Sequence, residues 1–268
     1  MQFNRTASPV IASIAAAAAL LVALPAHALV IDATVSGSDS IWLAGRTDIT
    51  IPPASDSWPG GMIRHGRPTP EEIQETFPQA FSISAGDVIR VLDPAVGGIS
   101  FFNGFGGTIF GPEGNGIPGS SSITPFGGIS GYLGTQGALV GLFHDDSIPD
   151  GTPPATLDFR SSAIGVNFAS LAPDPGQVFF IGNGVNSSGD FQEFLAPSGA
   201  TRFFIGITDA FGFNGAPGAF DDNDGSYQIR LGINEDPTNP PTNTVPEPPA
   251  LALFGLALAL FGLRKRIG

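Results

Sequence analysis

Glycine and proline recur along this chain too often for long regular helices. The 268 residues include 37 glycines and 25 prolines. Proline removes a backbone donor and clashes with the preceding turn inside a helix, and glycine is about 1 kcal/mol less favourable there than alanine. Between these residues lie short runs rich in β-branched and aromatic side chains, which fit strands. We therefore expect an all-β protein, an antiparallel β-sandwich with a jelly-roll-like core.

Several short runs between turn residues have the composition of strands. They span residues 30–35, 87–92, 138–143, 155–159, 165–169, 177–181, 191–195, 202–208 and 226–233. In the last run Tyr227, Ile229, Leu231 and Ile233 alternate with small or polar residues, so we expect them on one buried face. The stretch 69–77 has proline at its first helical position and acids in its first turn, which predicts a helix of two turns at most.

The N-terminus has the parts of a secretory signal peptide. Arg5 precedes an apolar run over residues 10–24, and Ala26-His27-Ala28 follows as an A-x-A cleavage pattern. Residues 1–28 are therefore predicted to direct export and to be removed.

The C-terminus is an apolar run followed by cations. Every residue from Ala250 to Leu263 is alanine, leucine, phenylalanine or glycine, and Arg264, Lys265 and Arg266 follow. A helix of this length would span roughly 21 Å, whereas a comfortable membrane span needs about 20 residues. We expect a short transmembrane helix at 250–263 with its basic end in the cytoplasm. A buried core helix is the alternative.

These terminal segments enclose one predicted domain. The β-sandwich domain is assigned to residues 29–234, and the polar, proline-rich stretch 235–245 is interpreted as a linker. The signal peptide at 1–28 precedes the domain, and a sorting segment at 246–268 follows the linker.

The body between the two ends is strongly acidic and lacks cysteine. From Leu29 to Val245 it keeps seven of the 11 basic residues and 23 of the 24 acidic ones, so its formal charge is near −16. This charge argues against nucleic acid as a partner, because phosphate binding needs clustered cations. Divalent cations and neutral sugars are compatible with it. Without disulfides, a core or a bound metal must stabilise the domain.

The end of the chain resembles a known sorting signal. Pro246-Glu247-Pro248, the apolar run and the basic tail of Arg264, Lys265 and Arg266 have the order and spacing of the PEP-CTERM signal. The resemblance implies transient membrane anchoring and processing near the Pro-Glu-Pro triplet by an exosortase, a membrane protease-transpeptidase. Such proteins are exported by bacteria that make extracellular polysaccharide. We therefore expect a location at the cell surface or in the extracellular matrix, with extracellular polysaccharide as a candidate partner.

The densest set of candidate metal ligands lies late in the body. Asp209 precedes the stretch Phe220-Asp221-Asp222-Asn223-Asp224-Gly225, whose acids would repel one another unless a cation lay among them. Hard cations such as Ca²⁺ take six to eight oxygen ligands, which Asp, Asn and backbone carbonyls supply. A solvent-exposed acidic turn is the alternative, since Asn-Asp and Asp-Gly pairs favour turns.

The same region resembles the calcium-dependent galactophilic bacterial lectins, which are small jelly-roll domains. The stretch 202–233 is similar to the C-terminal half of that family. Three upstream segments, 86–89, 111–114 and 137–140, are similar to its Gly-Asp-Val-Ile, Gly-Pro-Gln-Gly and Gly-Ala-Leu-Val segments.

The lectin resemblance implies a particular ligand set for calcium. Its members are Asp209, the backbone carbonyl of Ala219, Asp222 and Asn223. The family's sugar-contacting His has no counterpart in residues 128–136 of this chain, so the sugar-binding residues stay unassigned.

No motif in the body indicates an enzyme. There is no Gly-x-Ser-x-Gly nucleophile elbow, no cysteine nucleophile and no His-x-x-x-His pair. His144-Asp145-Asp146 offers metal-ligand chemistry, but we interpret it as an exposed polar turn. We expect a non-enzymatic module that binds carbohydrate through Ca²⁺. The alternatives are a structural matrix protein with a stabilising calcium loop and, less favoured, a polysaccharide-active hydrolase.

Overall fold

A computed structural model describes residues 28–51, 75–102 and 108–237. This part of the chain consists of strands, turns and loops, with short 3-10 helices at Ile41–Leu43, Phe211–Phe213 and Phe220–Asp222. The strands are β1 (Leu29–Ser36), β2 (Gln79–Ser82), β3 (Val88–Ser100), β4 (Ser121–Ile123), β5 (Tyr132–Gly134), β6 (Leu139–His144), β7 (Ser170–Leu171), β8 (Val178–Phe180), β9 (Glu193–Leu195), β10 (Arg202–Ile207), β11 (Asn214–Gly215) and β12 (Asp224–Ile233). The all-β prediction is confirmed.

The predicted terminal segments lie almost entirely outside the described residues. Residues 1–27 of the predicted signal peptide lie outside the described residues, as do the Pro-Glu-Pro triplet, the predicted membrane helix 250–263 and the basic tail. Within the described ranges, no helix has both the length and the apolar character that a membrane crossing requires.

The strands form three sheets. The first has the order β1-β12-β3-β9-β7, the second β2-β10-β6-β8 and the small third β11-β4-β5. Most neighbouring strands are antiparallel, whereas β7 with β9 and β4 with β11 are parallel. The antiparallel prediction therefore holds for the main pairings.

An aromatic core joins the first two sheets. Phe179 of β8 stacks on Phe194 of β9 with ring centroids 5.2 Å apart, and Phe143 lies 5.3 Å from Phe203 on the neighbouring strand. Such ring pairs add about 0.5–1.5 kcal/mol each beyond their burial. Trp42 is fully buried and donates its indole N–H to the Ser130 carbonyl at 2.9 Å. The core thus gives the molecule a sandwich-like arrangement.

Strand β12 defines two ends of the domain. Its alternation is confirmed, because Tyr227, Ile229, Leu231 and Ile233 are all buried. At one end Ile233 lies opposite Leu29 of β1, and we call this end the terminal pole. At the other end Asp224 lies opposite Ser100 of β3, and we call this end the acidic pole. The strand has 10 residues, so the two poles are roughly 30 Å apart.

Two predicted strands are wrong. Residues 155–159 follow consecutive prolines and form only a single bridge, between Asp158 and Leu133. Proline cannot donate to a ladder, which explains why no strand begins there. Residues 165–169 begin at Gly165, whose φ of 70° closes a turn, and pairing starts only at Ser170.

Other differences arise from long-range pairing. The end of the predicted helix 69–77 is described, and it is not helical, because Thr76 exchanges backbone hydrogen bonds with the 38–40 segment. Five strands, β2, β4, β5, β7 and β11, lie outside every predicted run. Strand β4 reads Ser-Ser-Ile, a composition typical of turns, and its partner β5 makes it a strand.

Candidate metal centre

Asp209 is buried at the acidic pole with half of its carboxylate unpartnered. It comes two residues after β10 ends, and only 2% of its surface is exposed. Its Oδ1 accepts a hydrogen bond from the Ala210 backbone N–H at 2.7 Å. Its Oδ2 is also buried and accepts no hydrogen bond from any residue that the structure describes. A buried ionised carboxylate is costly unless it is paired, so this oxygen needs a ligand or a proton.

The chain after Asp209 loops outward and returns to the same place. The Gly218 N–H donates to the Asp209 carbonyl at 3.1 Å, which closes the loop. Ala219 follows with a left-handed backbone, φ 66°, and the 3-10 helix Phe220–Asp222 begins there. A left-handed alanine costs about 1–2 kcal/mol, and such strain often occurs at functional sites. Asp209, Ala219 and Asp222 consequently line one cavity of about 380 Å³, which we call the acidic-pole cavity.

Asn223, the fourth predicted ligand, is buried next to Asp209. It is 1% exposed, and its Nδ2 donates to the Gly37 carbonyl at 2.9 Å. Its side chain also approaches the Asp209 carboxylate. Its Oδ1 is buried and has no hydrogen-bond partner within the described part of the chain. Asn223 Oδ1 and Asp209 Oδ2 are therefore two buried oxygens without a hydrogen-bond partner on side chains that lie next to each other.

The surroundings of Asp209 disfavour its charged form. Burial raises the pKa of Asp209 well above its ordinary value, and the nearby carboxylates of Asp222 and Asp221 raise it further. The Asn223 side chain and the Ala210 N–H lower this pKa only in part. A divalent cation beside the carboxylate would reverse the shift, because opposite charge stabilises the ionised form.

The donor types fit a hard cation. Carboxylate, amide and backbone carbonyl oxygens are the ligands that Ca²⁺ takes, and two of the buried oxygens are unpartnered. Among the described residues, no group of three or more His, Cys, Asp or Glu side chains could hold a metal ion. A cation here would thus depend on neutral oxygens as well as carboxylates. Three of the predicted residues, Asp209, Ala219 and Asp222, line the acidic-pole cavity, and Asn223 reaches the Asp209 carboxylate without lining it. Metal binding by these residues stays a prediction.

Aromatic rings form most of the remaining wall of the acidic-pole cavity. They belong to Phe101, Phe102, Phe211 and Phe213. Sequence reasoning did not assign these rings to the site. The available signal was the similar composition of two loops, Phe-Phe-Asn-Gly-Phe from residue 101 and Phe-Gly-Phe-Asn-Gly from residue 211.

The His144-Asp145-Asp146 turn has a different environment. Asp145 is exposed, and its carboxylate accepts hydrogen bonds from both the backbone N–H and the hydroxyl of Ser147. These hydrogen bonds lower the pKa of Asp145, with small contributions from His144 and Arg202. The interpretation as an exposed polar turn agrees with this geometry.

Comparison with known proteins identifies the sorting signal of the chain but no activity for the β domain. Residues 244–266 match the PEP-CTERM protein-sorting motif. No curated protein and no solved structure matches the chain, so the lectin resemblance of the body has no support from these comparisons. The motif marks an exported protein that exosortase, a membrane enzyme, processes. It is anchored in the membrane before processing and released at the surface afterwards.

Proposed function

We propose that this exosortase substrate is a non-enzymatic module of the cell surface or extracellular matrix whose β domain binds Ca²⁺ at the acidic pole. Asp209, Asp222, Asn223 and the carbonyl of Ala219 are the protein ligands. The observation that carries the proposal is the Oδ2 atom of Asp209, which is buried without a partner in a cavity lined by a second carboxylate.

The arrangement of the two poles supports a role directed away from the membrane. The chain stays bound to the domain through Glu235, which is buried and whose carbonyl accepts a hydrogen bond from Arg90, so the linker to the sorting motif leaves after this residue, at the terminal pole. The acidic-pole cavity lies beside the opposite end of β12, roughly 30 Å away. Before processing, a domain anchored through this linker can therefore present the cavity to the exterior.

Calcium-dependent carbohydrate binding is the first form of this proposal. The body is acidic, near −16, so a neutral extracellular polysaccharide is a better partner than a polyanion. This form of the proposal includes the jelly-roll-like core that the sequence predicts for the domain.

A structural calcium loop is the second form. Asn223 contacts Asp209 and donates a hydrogen bond to the Gly37 carbonyl, just after β1. A cation here would therefore stabilise the contacts among the segments that contain Gly37, Asp209 and Asn223. Carbohydrate binding that EDTA abolishes supports the first form, and calcium binding without any carbohydrate ligand supports the second. Turnover of a polysaccharide would instead promote the hydrolase alternative.

Calcium titration of the purified full chain in detergent tests the proposal. We expect one Ca²⁺ per chain in isothermal titration calorimetry, with weaker binding of Mg²⁺, which demands a tighter octahedral shell. Asp209→Asn should abolish the binding heat, and Asp145→Asn is the matched control that should preserve it. Absence of a calcium heat in the wild-type chain would contradict the proposal.

A further inference from the structure

Strand β1 lies at the end of the five-stranded sheet with one edge open. It pairs with β12 on one side, and no other strand in the described part of the chain pairs with it. It has 8 residues, whereas the other strands at sheet ends, β2, β5, β7, β8 and β11, have 4 or fewer. A longer edge strand offers more backbone groups to a partner. The open edge of β1 is therefore the longest among the described strands.

The pairing with β12 determines which backbone groups of β1 face the open edge. The Gly37 N–H donates to the Gly225 carbonyl at 3.0 Å, and this pair continues the register of the two strands. In an antiparallel ladder, residues that bond to the partner strand alternate with residues that point away from it. The odd-numbered residues of β1 thus bond to β12. Val30, Asp32 and Thr34 direct their N–H and C=O groups outward.

Ser36 supports this assignment, because the fold already satisfies its outward groups. Its N–H donates to Asp39 Oδ2 at 2.8 Å, and its carbonyl accepts from the Asp39 N–H at 3.0 Å. The turn after β1 therefore closes the edge at the acidic pole. The outward backbone groups of Val30, Asp32 and Thr34 accept or donate no hydrogen bond within the described residues, and all three residues are exposed.

Strand β1 lacks the usual features that protect an edge from pairing. It contains no proline and no lysine, and its register with β12 has no bulge. Its one charged residue is Asp32, whose carboxylate forms an ion pair with Arg230 of β12 at 2.9 Å. This ion pair holds the carboxylate toward β12 and offsets its charge. The backbone of β1 is consequently accessible to an added strand.

A second copy of β1 fits this edge. Two antiparallel copies related by a twofold axis present the same alternation of groups, so outward N–H groups of one copy meet outward carbonyls of the other. Like charges directly opposite are unfavourable, so we expect Asp32 to lie opposite Val30 or Thr34 of the second copy. The sorting motif delivers identical chains to the same surface, which gives a second copy a high local concentration.

We propose that β1 of one chain pairs with β1 of a second chain in antiparallel orientation, which joins two five-stranded sheets into one sheet. This interface is separate from the proposed cation site, because none of the proposed ligands lies on β1. The two terminal poles come to opposite ends of the pair, so the pairing suits the chain after its release from the membrane. The interface consists mainly of backbone hydrogen bonds, so we expect a dissociation constant of roughly micromolar to millimolar.

The charge of the body makes this pairing dependent on salt. Two bodies that are each near −16 repel each other at low ionic strength. The Debye length falls from about 30 Å at 0.01 M salt to about 8 Å at 0.15 M. Self-association should therefore strengthen as sodium chloride is raised across this range. A dimer held together by ion pairs would show the opposite dependence.

Sedimentation velocity of the full chain, in detergent sufficient for one chain per micelle, tests the pairing. Asp32→Pro removes the central outward N–H and no hydrogen bond to β12, so it should weaken self-association at least about tenfold. Asp32→Asn is the matched control. Both variants lose the ion pair with Arg230, but only proline lacks the N–H. Asp32→Asn should associate as tightly as the wild type or more tightly, because it removes a like charge.

Residue-resolved amide exchange provides a second measurement that needs no variant. When the wild-type chain is concentrated into its dimeric range, the Asp32 amide should exchange at least about tenfold more slowly. The amides of Ile31 and Ala33, which already bond to β12, should not change. This alternation excludes a dimer that forms through another surface.

The two measurements together decide the proposal. Association that Asp32→Pro loses and Asp32→Asn keeps, with slower exchange at Asp32, supports it. A wild-type chain that stays monomeric at about 1 mM in about 0.5 M sodium chloride overturns it. Association that both variants keep, or that both lose, also overturns it, because the backbone of β1 would then not be the contact.

Discussion

The two acidic turns of this protein have similar residues, but their carboxylates differ in burial and in hydrogen bonding. The turn at His144-Asp145-Asp146 is exposed, and hydrogen bonds from Ser147 satisfy the Asp145 carboxylate and lower its pKa. At the acidic pole, Asp209 is buried, one of its oxygens is unpartnered, and its pKa is raised. Acidity is common to both turns. Burial without a partner distinguishes the candidate site.

The comparison shows what a cation would change at each place. Calcium at Asp209 would replace water that the folded chain has already excluded, so its charge would interact strongly in a low-dielectric setting. Calcium near Asp145 would compete with solvent and with hydrogen bonds that already exist. Only the buried carboxylate of Asp209 therefore offers a ligand a large binding free energy.

The largest expected effect is that of Asp209→Asn. This variant should lose the calcium response and, in EDTA at neutral pH, be more stable than the wild type by about 1–3 kcal/mol. The gain reflects removal of an unsatisfied buried carboxylate. Urea unfolding of both proteins in EDTA and in calcium measures both effects. A destabilised variant that still responds to calcium would break the distinction between the two turns.

Asn223→Ala should have the next largest effect. It removes the hydrogen bond to the Gly37 carbonyl and leaves that acceptor buried, so the EDTA form should lose about 1–3 kcal/mol. Calcium affinity should fall about tenfold with the loss of one oxygen ligand. Urea unfolding and calorimetry report the two losses separately. Unchanged calcium affinity would remove Asn223 from the ligand set.

The pH dependence of stability should have opposite signs at the two turns. The folded pKa of Asp209 is above its ordinary value of 3.8, so the folded state binds more protons than the unfolded state. Its contribution to stability is largest below 3.8 and is lost as pH rises through the folded pKa. The folded pKa of Asp145 is lowered, so its smaller contribution is present above 3.8 and lost as pH falls through the folded pKa.

Unfolding of the two Asp→Asn variants across this range, in EDTA, separates these contributions. Relative to wild type, Asp209→Asn should gain stability as pH rises, and Asp145→Asn should lose a little. Saturating calcium should flatten the Asp209-dependent loss in the wild type, because the cation stabilises the carboxylate. A wild-type chain whose Asp209-dependent stability rises with pH in EDTA would contradict the raised pKa.

The smallest expected effect is that of Asp145→Asn near neutral pH. The exposed carboxylate loses only solvent-screened interactions, so its stability should change by about 0.5 kcal/mol or less. Calcium affinity should be unchanged within a factor of about two. A change in calcium affinity as large as that of Asp209→Asn would mean that acidity alone, and not burial, determines binding.

The sequence predicted the long strands well and the short ones poorly. Strands β10 and β12 have enough alternating or continuous apolar residues to specify a buried face by themselves. Strands such as β4 contain serines and exist because β5 pairs with them, which no local pattern reveals. Long-range pairing also explains why the described end of the helix predicted at 69–77 is not helical, because Thr76 is hydrogen-bonded to the distant segment 38–40.

The candidate site was partly predictable for a related reason. Asp222 and Asn223 are adjacent in sequence, and Asp209 follows a clear strand, so the acidic composition and the lectin resemblance together indicated these residues. The aromatic wall combines Phe101 and Phe102 with Phe211 and Phe213, more than 100 residues away in sequence. Their composition was visible, but their convergence depends on how β3 and β10 pack. The burial of Asp209 likewise depends on the whole fold.

The melting temperature of the full chain in EDTA and in millimolar calcium tests the central claim most directly. At calcium concentrations about 100-fold above the dissociation constant, binding to the folded state should add roughly 2.7 kcal/mol, which corresponds to a rise of about 5–10 °C for a domain of this size. The account predicts this rise in the wild type and in Asp145→Asn, and none in Asp209→Asn. Equal melting temperatures of the wild type in EDTA and in calcium would contradict it.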